Sequence, residues 1–401
     1  MNLEQGIKTE HQSKITIVNI CFYITLISNL AIYIAQPLDI ILLEGLASKC
    51  FMLSNMVAFL YALIHSMKEY IPYKTNQIIT IAFILLFSFI SFITSKGSGL
   101  YQYIIRMWCY LALPFYLLYM DYISLGKKMI NFVFIINYIS SGVFILLSLS
   151  KYSYAGYEHY IGTNYAWLTL GYGNPNQTGI YLMITFVVLL CAFSYYKSPI
   201  MKGFTLLVIL YIGRLIILTS SRSCIIVCLF ILTAVFLYPR LNIPKLVVAA
   251  ILLLPMIFLL FYPYLIEQGW FVNDTYMGKE DYSSRSSIFT LTLKKLQKRY
   301  LFGDFGTYRL ENLHNGVLSI LSSLGIIGLI LFYIYYFRAY FHILKHYIKT
   351  RTAYISFVGL LAIFIHACAE GAFLVGGSVF AGSVSVLILL IKVEEREGEE
   401  H

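Results

Sequence analysis

The sequence predicts an all-α polytopic membrane protein of about twelve transmembrane helices with one large structured extracytoplasmic loop. Three observations carry this expectation. Of the 401 residues, 59% are hydrophobic and only 12% are charged, whereas a soluble domain has about 25% charged residues. The mean hydropathy is +0.77, the opposite of a disordered composition. The apolar residues also form long continuous runs instead of the apolar–polar alternation of a β-barrel strand. Residues 1–401 read as a single membrane domain.

Crossing the hydrocarbon takes about 20 mostly apolar residues. Candidate spans cover 15–34, 46–67, 78–95, 100–120, 129–149, 178–196, 200–219, 221–238, 245–265, 314–337, 354–369 and 373–392. The second carries Lys49 near its start and the eleventh is short and polar at its end. With the N-terminus inside, Lys68, Lys74, Lys127, Lys128, Lys197, Lys202, Arg240, Lys245, Arg338, Lys345, Lys349 and Arg351 fall in inner loops, and the short outer loops hold little beyond Lys49 and Lys96. This positive-inside bias predicts both termini cytoplasmic. The net charge of +10 mostly reflects that pattern and one basic outer loop, and is no argument for nucleic-acid binding. The polar start (Glu4, Lys8, Glu10, Lys14) leads into a full-length span without a small-residue cleavage pattern, so no signal peptide is expected. Cysteines such as Cys21, Cys109, Cys191, Cys224, Cys228 and Cys368 lie in spans and read as small apolar packers. Cys224 and Cys228, one turn apart without His or carboxylate company in the sequence, do not read as a metal site, and His342 and His346 in the inner basic loop read as solvated.

Two long segments then fall on the outer side. One, 150–177, is Tyr-rich and ends in GYGNPNQTG; the other, 266–313, is the large outer loop. Long structured loops in compact proteins are commonly functional. Within the second, Ser284 is placed to cap an amphipathic helix near 285–300, with Phe289, Leu293, Leu296 and Tyr300 on one face and Lys294, Lys295, Lys298 and Arg299 on the others. Such a helix lies at the membrane interface, and its basic residues suit anionic headgroups as well as substrate. Arg285 differs from them, because a cation at a helix N-terminus opposes the macrodipole and points to a nearby anion. Gly303 and Gly306 then allow a tight turn before His314 and Asn315, where the chain re-enters the membrane.

Arginines inside or beside spans are costly and demand a partner. Arg106 lies inside the outer end of the fourth span, where snorkelling or a carboxylate such as Glu370 would satisfy it. Arg214 and Arg222 flank one tight hairpin with two serines, in the run LTSSRSCII, and their guanidinium forks suit phosphate oxygens. Tyr165, Trp167, Tyr172 and Trp270 are placed either to stack on sugar rings or to form interfacial belts.

GNPNQTG before the sixth span, SSRS opening a span, SSRSSIF opening a helix in the large loop, LFGDFG, and LHNGVLSILSSLGIIG occur in this order over roughly residues 160–340. Taken together, with their sidedness, they resemble the O-antigen ligase-like and polysaccharide polymerase family of bacterial envelopes. The GDFG turn departs from the denser glycine run of many relatives. The resemblance implies glycosyl transfer on the outer face of the bacterial cytoplasmic membrane, with an oligosaccharide linked by diphosphate to a polyprenyl lipid as donor. It implies that Arg222 and Arg285 bind the diphosphate and that His314 acts on the acceptor hydroxyl. Arg214, Asn174, Asn176 and Asn315 are the candidate substrate-binding residues. Neither a metal nor another cofactor is expected, since fixed guanidinium groups stabilise a diphosphate leaving group as a cation does. The implied partners are the lipid-linked donor and acceptor, membrane lipid, and flippase and chain-length regulator proteins.

Polymerisation of repeat units into capsule, exopolysaccharide or O-antigen is the preferred activity. The alternative within the family is ligase-type transfer to another acceptor, and nothing in the sequence reads the acceptor. The alternative from another class is a polysaccharide or lipid-linked oligosaccharide transporter. A transporter would place polar residues near mid-membrane, often with broken helices in two related halves, whereas here they gather at one face.

Overall fold

The computed structural model describes residues 17–68, 72–94, 99–119, 126–150, 167–237, 243–268, 275–276, 279–280, 285–305, 313–371, 374 and 378–393. These form thirteen helices and one antiparallel ladder. The helices are α1 (Ile17–Ala35), α2 (Ile41–Lys68), α3 (Pro72–Thr94), α4 (Leu100–Tyr119), α5 (Lys127–Leu149), α6 (Pro175–Tyr195), α7 (Pro199–Leu218), α8 (Arg222–Leu237), α9 (Lys245–Glu267), α10 (Arg285–Leu296), α11 (Gly316–His346), α12 (Arg351–His366) and α13 (Ser378–Leu390). The ladder pairs β1 (Thr275–Tyr276) with β2 (Lys279–Glu280).

Among the described residues, eight helices are long and apolar enough to cross a membrane: α1, α2, α3, α5, α6, α7, α9 and α11. The chain is therefore a multi-pass membrane protein. The expectation of about twelve spans exceeds this count for a physical reason. α8 and α12 have 16 residues each and α13 has 13, short of the roughly 20 that hydrocarbon requires. α4 is long enough, but Gln102, Arg106 and its tyrosines leave it without a window as hydropathic as those of the eight.

α6 and α12 form the centre, because nearly all their residues are buried and apolar on every side. They approach closely at Gly359, where a Cβ would sit 2.7 Å from Val187 Cγ1; small residues permit such approach between membrane helices. Peripheral helices turn large apolar side chains outward, such as Leu207 on α7 and Leu260 on α9, as a hydrocarbon solvent allows.

α11 is broken at Gly325 (φ 63°, ψ −170°), and the chain following α10 enters the break. The Ile326 and Ile327 amides donate to the Tyr300 and Leu301 carbonyls at 2.8 and 3.3 Å, and the Asp304 amide donates to the Ser322 carbonyl at 2.8 Å. Gly303, at φ +70°, lies so close that a Cβ there would meet the Gly325 nitrogen at 2.5 Å. Ser91 of α3 clamps both sides, accepting from the Phe305 amide at 3.1 Å and donating to the Ser323 carbonyl at 3.1 Å. Donors freed by the break thus find acceptors that hydrocarbon would not supply. Arg106 donates to the Phe305 carbonyl at 2.7 Å, a backbone partner in place of the expected headgroups or Glu370. Asp304 pairs with Arg299 at 3.3 Å.

α10 docks by Phe289 against Tyr262, ring centroids 4.7 Å apart, with Thr292 also buried. It ends at Leu296, so Tyr300 falls beyond the helix and is exposed instead of continuing the apolar face. The proposed cap Ser284 lies outside the described residues.

Gly325→Ala would put a Cβ 2.2 Å from the Leu301 carbonyl oxygen at a positive φ. It should lower stability by at least about 2 kcal/mol, read as the thermal midpoint of the detergent-purified protein. Gly142→Ala, with nothing within 4 Å of its Cβ, should not; equal midpoints for the two variants would contradict the wedge.

Candidate functional site

Three chain segments meet where α6 and α11 begin and α12 ends. Asn174 caps α6, its side chain accepting from the Asn176 amide at 2.8 Å, and Pro175 opens the helix, a position where the missing N–H costs nothing. Asn315 caps α11, accepting from the Leu318 amide at 2.9 Å. Beyond α12 the chain turns through 367–371, where the Glu370 amide donates to the His366 carbonyl at 3.0 Å and the Gly316 amide to the Ala367 carbonyl at 3.0 Å. That last bond ties the start of α11 to the end of α12.

The turn brings Glu370 to His314. The carboxylate is buried, 3% exposed, whereas the imidazole is 25% exposed, and His314 Nδ1 lies 3.3 and 3.2 Å from the two carboxylate oxygens. Asn176 Nδ2 donates to Glu370 Oε1 at 3.1 Å. A buried carboxylate must be hydrogen-bonded to be tolerated, and these contacts serve that need. An ionised carboxylate only accepts, so a neutral imidazole facing one through Nδ1 donates from that nitrogen. His314 also has φ 53°, a left-handed conformation costing a non-glycine residue about 1–2 kcal/mol, and strain of this kind gathers at functional positions.

The hairpin between α7 and α8 adjoins the same turn. Ser220 is likewise left-handed, φ 50°, and Gly179 of α6 packs so tightly there that a Cβ would meet Ser221 Cβ at 2.9 Å and Cys224 Sγ at 3.0 Å. His366, fully buried, places Nε2 3.4 Å from Ser223 Oγ and 3.7 Å from Cys224 Sγ. The residue next to Arg222 thus touches α12 one turn before Glu370. Cys224 has a histidine neighbour that its sequence surroundings did not show. Among the described residues no group of three or more His, Cys, Asp and Glu side chains is placed to hold a metal ion.

The expected site residues divide accordingly. His314 and Asn176 come together, through Glu370. Arg222 is partly buried at the first position of α8. Arg214 is exposed, its guanidinium 5.9 Å from the centre of the Tyr211 ring. Arg285 is the first residue of α10, but its side chain lies outside the described ones. Asn315, expected to bind substrate, is fully buried; besides its cap, its amide donates to the Cys368 carbonyl at 3.2 Å and the Pro255 carbonyl at 3.5 Å. It shapes the His314 turn and offers no free group to a ligand. Trp167 and Tyr172, considered for sugar stacking, are buried at 6% and 7% exposure, and the Tyr172 hydroxyl donates to the Tyr33 carbonyl at 2.7 Å. Tyr165 and Trp270 lie outside the described residues.

Sequence reasoning missed Glu370 as the partner of His314, although it is a lone carboxylate at a span end, four residues after a histidine. It also missed a polar ladder beside Asn176. Gln177 Nε2 donates to Gln36 Oε1 at 3.2 Å, Gln36 Nε2 to Glu44 Oε1 at 2.9 Å, and the Tyr181 hydroxyl to Gln36 Oε1 at 3.3 Å. These side chains carry no local motif, and they meet only because the turn after α1, which carries Gln36, lies between the start of α6 and Glu44 of α2.

The chain matches no protein-family model, and no curated protein matches it.

Asn315→Ala should cost about 1–3 kcal/mol of stability, because a cap is lost and buried carbonyls lose their donor. Asn174→Ala, an exposed cap, should cost about 1 kcal/mol or less. Thermal midpoints of the two variants check the order, and its inversion would contradict the structural role given to Asn315.

Proposed function

We propose that this chain is a membrane glycosyltransferase that polymerises polyprenyl-diphosphate-linked oligosaccharide repeat units at the outer face of a bacterial cytoplasmic membrane, with both termini inside. One observation carries the reading: a partly exposed, backbone-strained histidine whose Nδ1 faces a buried carboxylate. That is the arrangement of a general base held by an orienting group. The order of SSRS, SSRSSIF and LHNG along the chain supplies the substrate class, through the family it resembles.

In the proposed reaction the acceptor hydroxyl oxygen attacks the anomeric carbon of the donor sugar. Its proton passes to His314 Nε2, and Glu370 stabilises the imidazolium that forms. The bond between the anomeric carbon and the diphosphate oxygen breaks, and polyprenyl diphosphate leaves with the bonding pair. Arg222 and Arg285 offset the charge that develops on the leaving oxygens. Each opens a helix, so the first-turn N–H groups add to the attraction for an anion. Asn176 braces Glu370. Arg214 is assigned no step.

A transporter would use a broken helix as its binding site, and α11 is broken. Its break, however, is filled by Tyr300–Phe305, which satisfies the freed amides, so this feature does not favour transport.

The test is to incubate the purified protein in nanodiscs with a polyprenyl-diphosphate-linked repeat unit and EDTA. A ladder of lengthened lipid-linked glycan is expected. His314→Ala should slow elongation by about 10²–10⁴-fold while donor binding persists, whereas Arg222→Ala should weaken donor binding. Transfer only after a different lipid or protein acceptor is added would replace polymerase with ligase. No transfer from a competent donor, or unchanged growth in His314→Ala, would refute the assignment.

A further inference from the structure

Away from this site, α1 buries an amide that the protein leaves unsatisfied. Asn29 is 4% exposed, yet neither its oxygen nor its nitrogen has a hydrogen-bond partner among the described residues. Each such group costs about 1–3 kcal/mol, and native structures relieve most of them with protein partners or bound water. Asn29 lines a cavity of about 30 Å³ between α1, α5, α6 and α13, shared with Asn137, Ser140 and Thr185. The Asn137 amide donates to the Thr185 carbonyl at 3.3 Å, which leaves the Asn137 side-chain oxygen turned to other use. Ser140 donates to the Ile136 carbonyl at 2.9 Å and keeps hydroxyl lone pairs.

We infer that this cavity binds water within the membrane, in the form of a two-molecule site joining Asn29 of α1 to Asn137 of α5. A water needs roughly 10–15 Å³ of this kind of volume and two to four polar partners, so the space suits two. The chemistry matches as well. Asn29 offers one donor pair and one acceptor, and Asn137 and Ser140 offer acceptors, which water alone can complement in both senses. No carboxylate lines the cavity, which argues against a cation.

The site lies deep. Asn29 is about 9 Å from the end of α1 and Asn137 about 18 Å from the end of α5, at 1.5 Å per residue. Toward the helix ends that carry His314, aromatic rings stand over it. Tyr33 packs on Phe144 and Tyr181 with centroids 5.5 and 4.8 Å apart, and Tyr181 on Tyr172 at 5.1 Å. The water is therefore a structural ligand that links Asn29 of α1 to Asn137 of α5, adding to the direct contacts that Tyr33 and Asn137 make with α6.

Radiolytic hydroxyl-radical footprinting in nanodiscs tests this, because bound water generates radicals next to side chains that bulk solvent does not reach. Tyr33 and Leu26, which line the cavity at 6% and 1% exposure, should be modified severalfold faster than Tyr340 and Phe357, each buried at 0%. Asn29→Leu should abolish the difference; if that variant does not fold, Asn137→Leu serves the same purpose. Modification of wild-type Tyr33 no faster than Tyr340 would show a dry cavity and overturn the inference, as would labelling unchanged in a folded variant.

Discussion

The site depends on the burial of one carboxylate. Glu370 is 3% exposed at the end of a helix bundle whose sequence is only 12% charged. Removing a carboxylate from water costs several kcal/mol unless partners compensate. Asn176 supplies one hydrogen bond from α6, and His314 supplies another from the turn before α11. Meeting the needs of Glu370 therefore fixes where three segments stand relative to each other. It also turns Nδ1 of His314 toward the carboxylate.

A second constraint places the loop that carries α10. Had α11 been continuous, the segment after α10 would have had no backbone partners at that depth. The glycine at 325 opens the helix, the glycine at 303 lets the entering strand approach, and Ser91 and Arg106 tie its end to α3 and α4. Arg106 thus does structural work with a carbonyl. Glu370, in turn, faces His314 and Asn176.

Much of the architecture was legible because each apolar run in this solvent must be a helix. α6 and α11 begin at Pro175 and Gly316, within three residues of the expected 178 and 314, but that Asn174 and Asn315 cap them was not read from the sequence, which offered both as substrate-binding residues. The span count was less legible, since α8, α12 and α13 are apolar but short. His314 stood out as a polar residue at a span end, and Gly303 as a turn residue that the structure shows at positive φ. The rest required packing. Nothing local tells that Asn315 is consumed by backbone groups, that Trp167 and Tyr172 face inward, or that Glu370 lies beside a residue 56 positions earlier.

The central claim is that Glu370 acts through His314. A double-mutant cycle on initial elongation rates tests this directly, using His314→Ala, Glu370→Gln and the two combined. If the carboxylate only orients and supports the imidazole, the combined variant is no slower than His314→Ala alone, because effects within one unit are not additive. Rate losses that multiply across the two sites would contradict the account and separate Glu370 from the chemistry of His314.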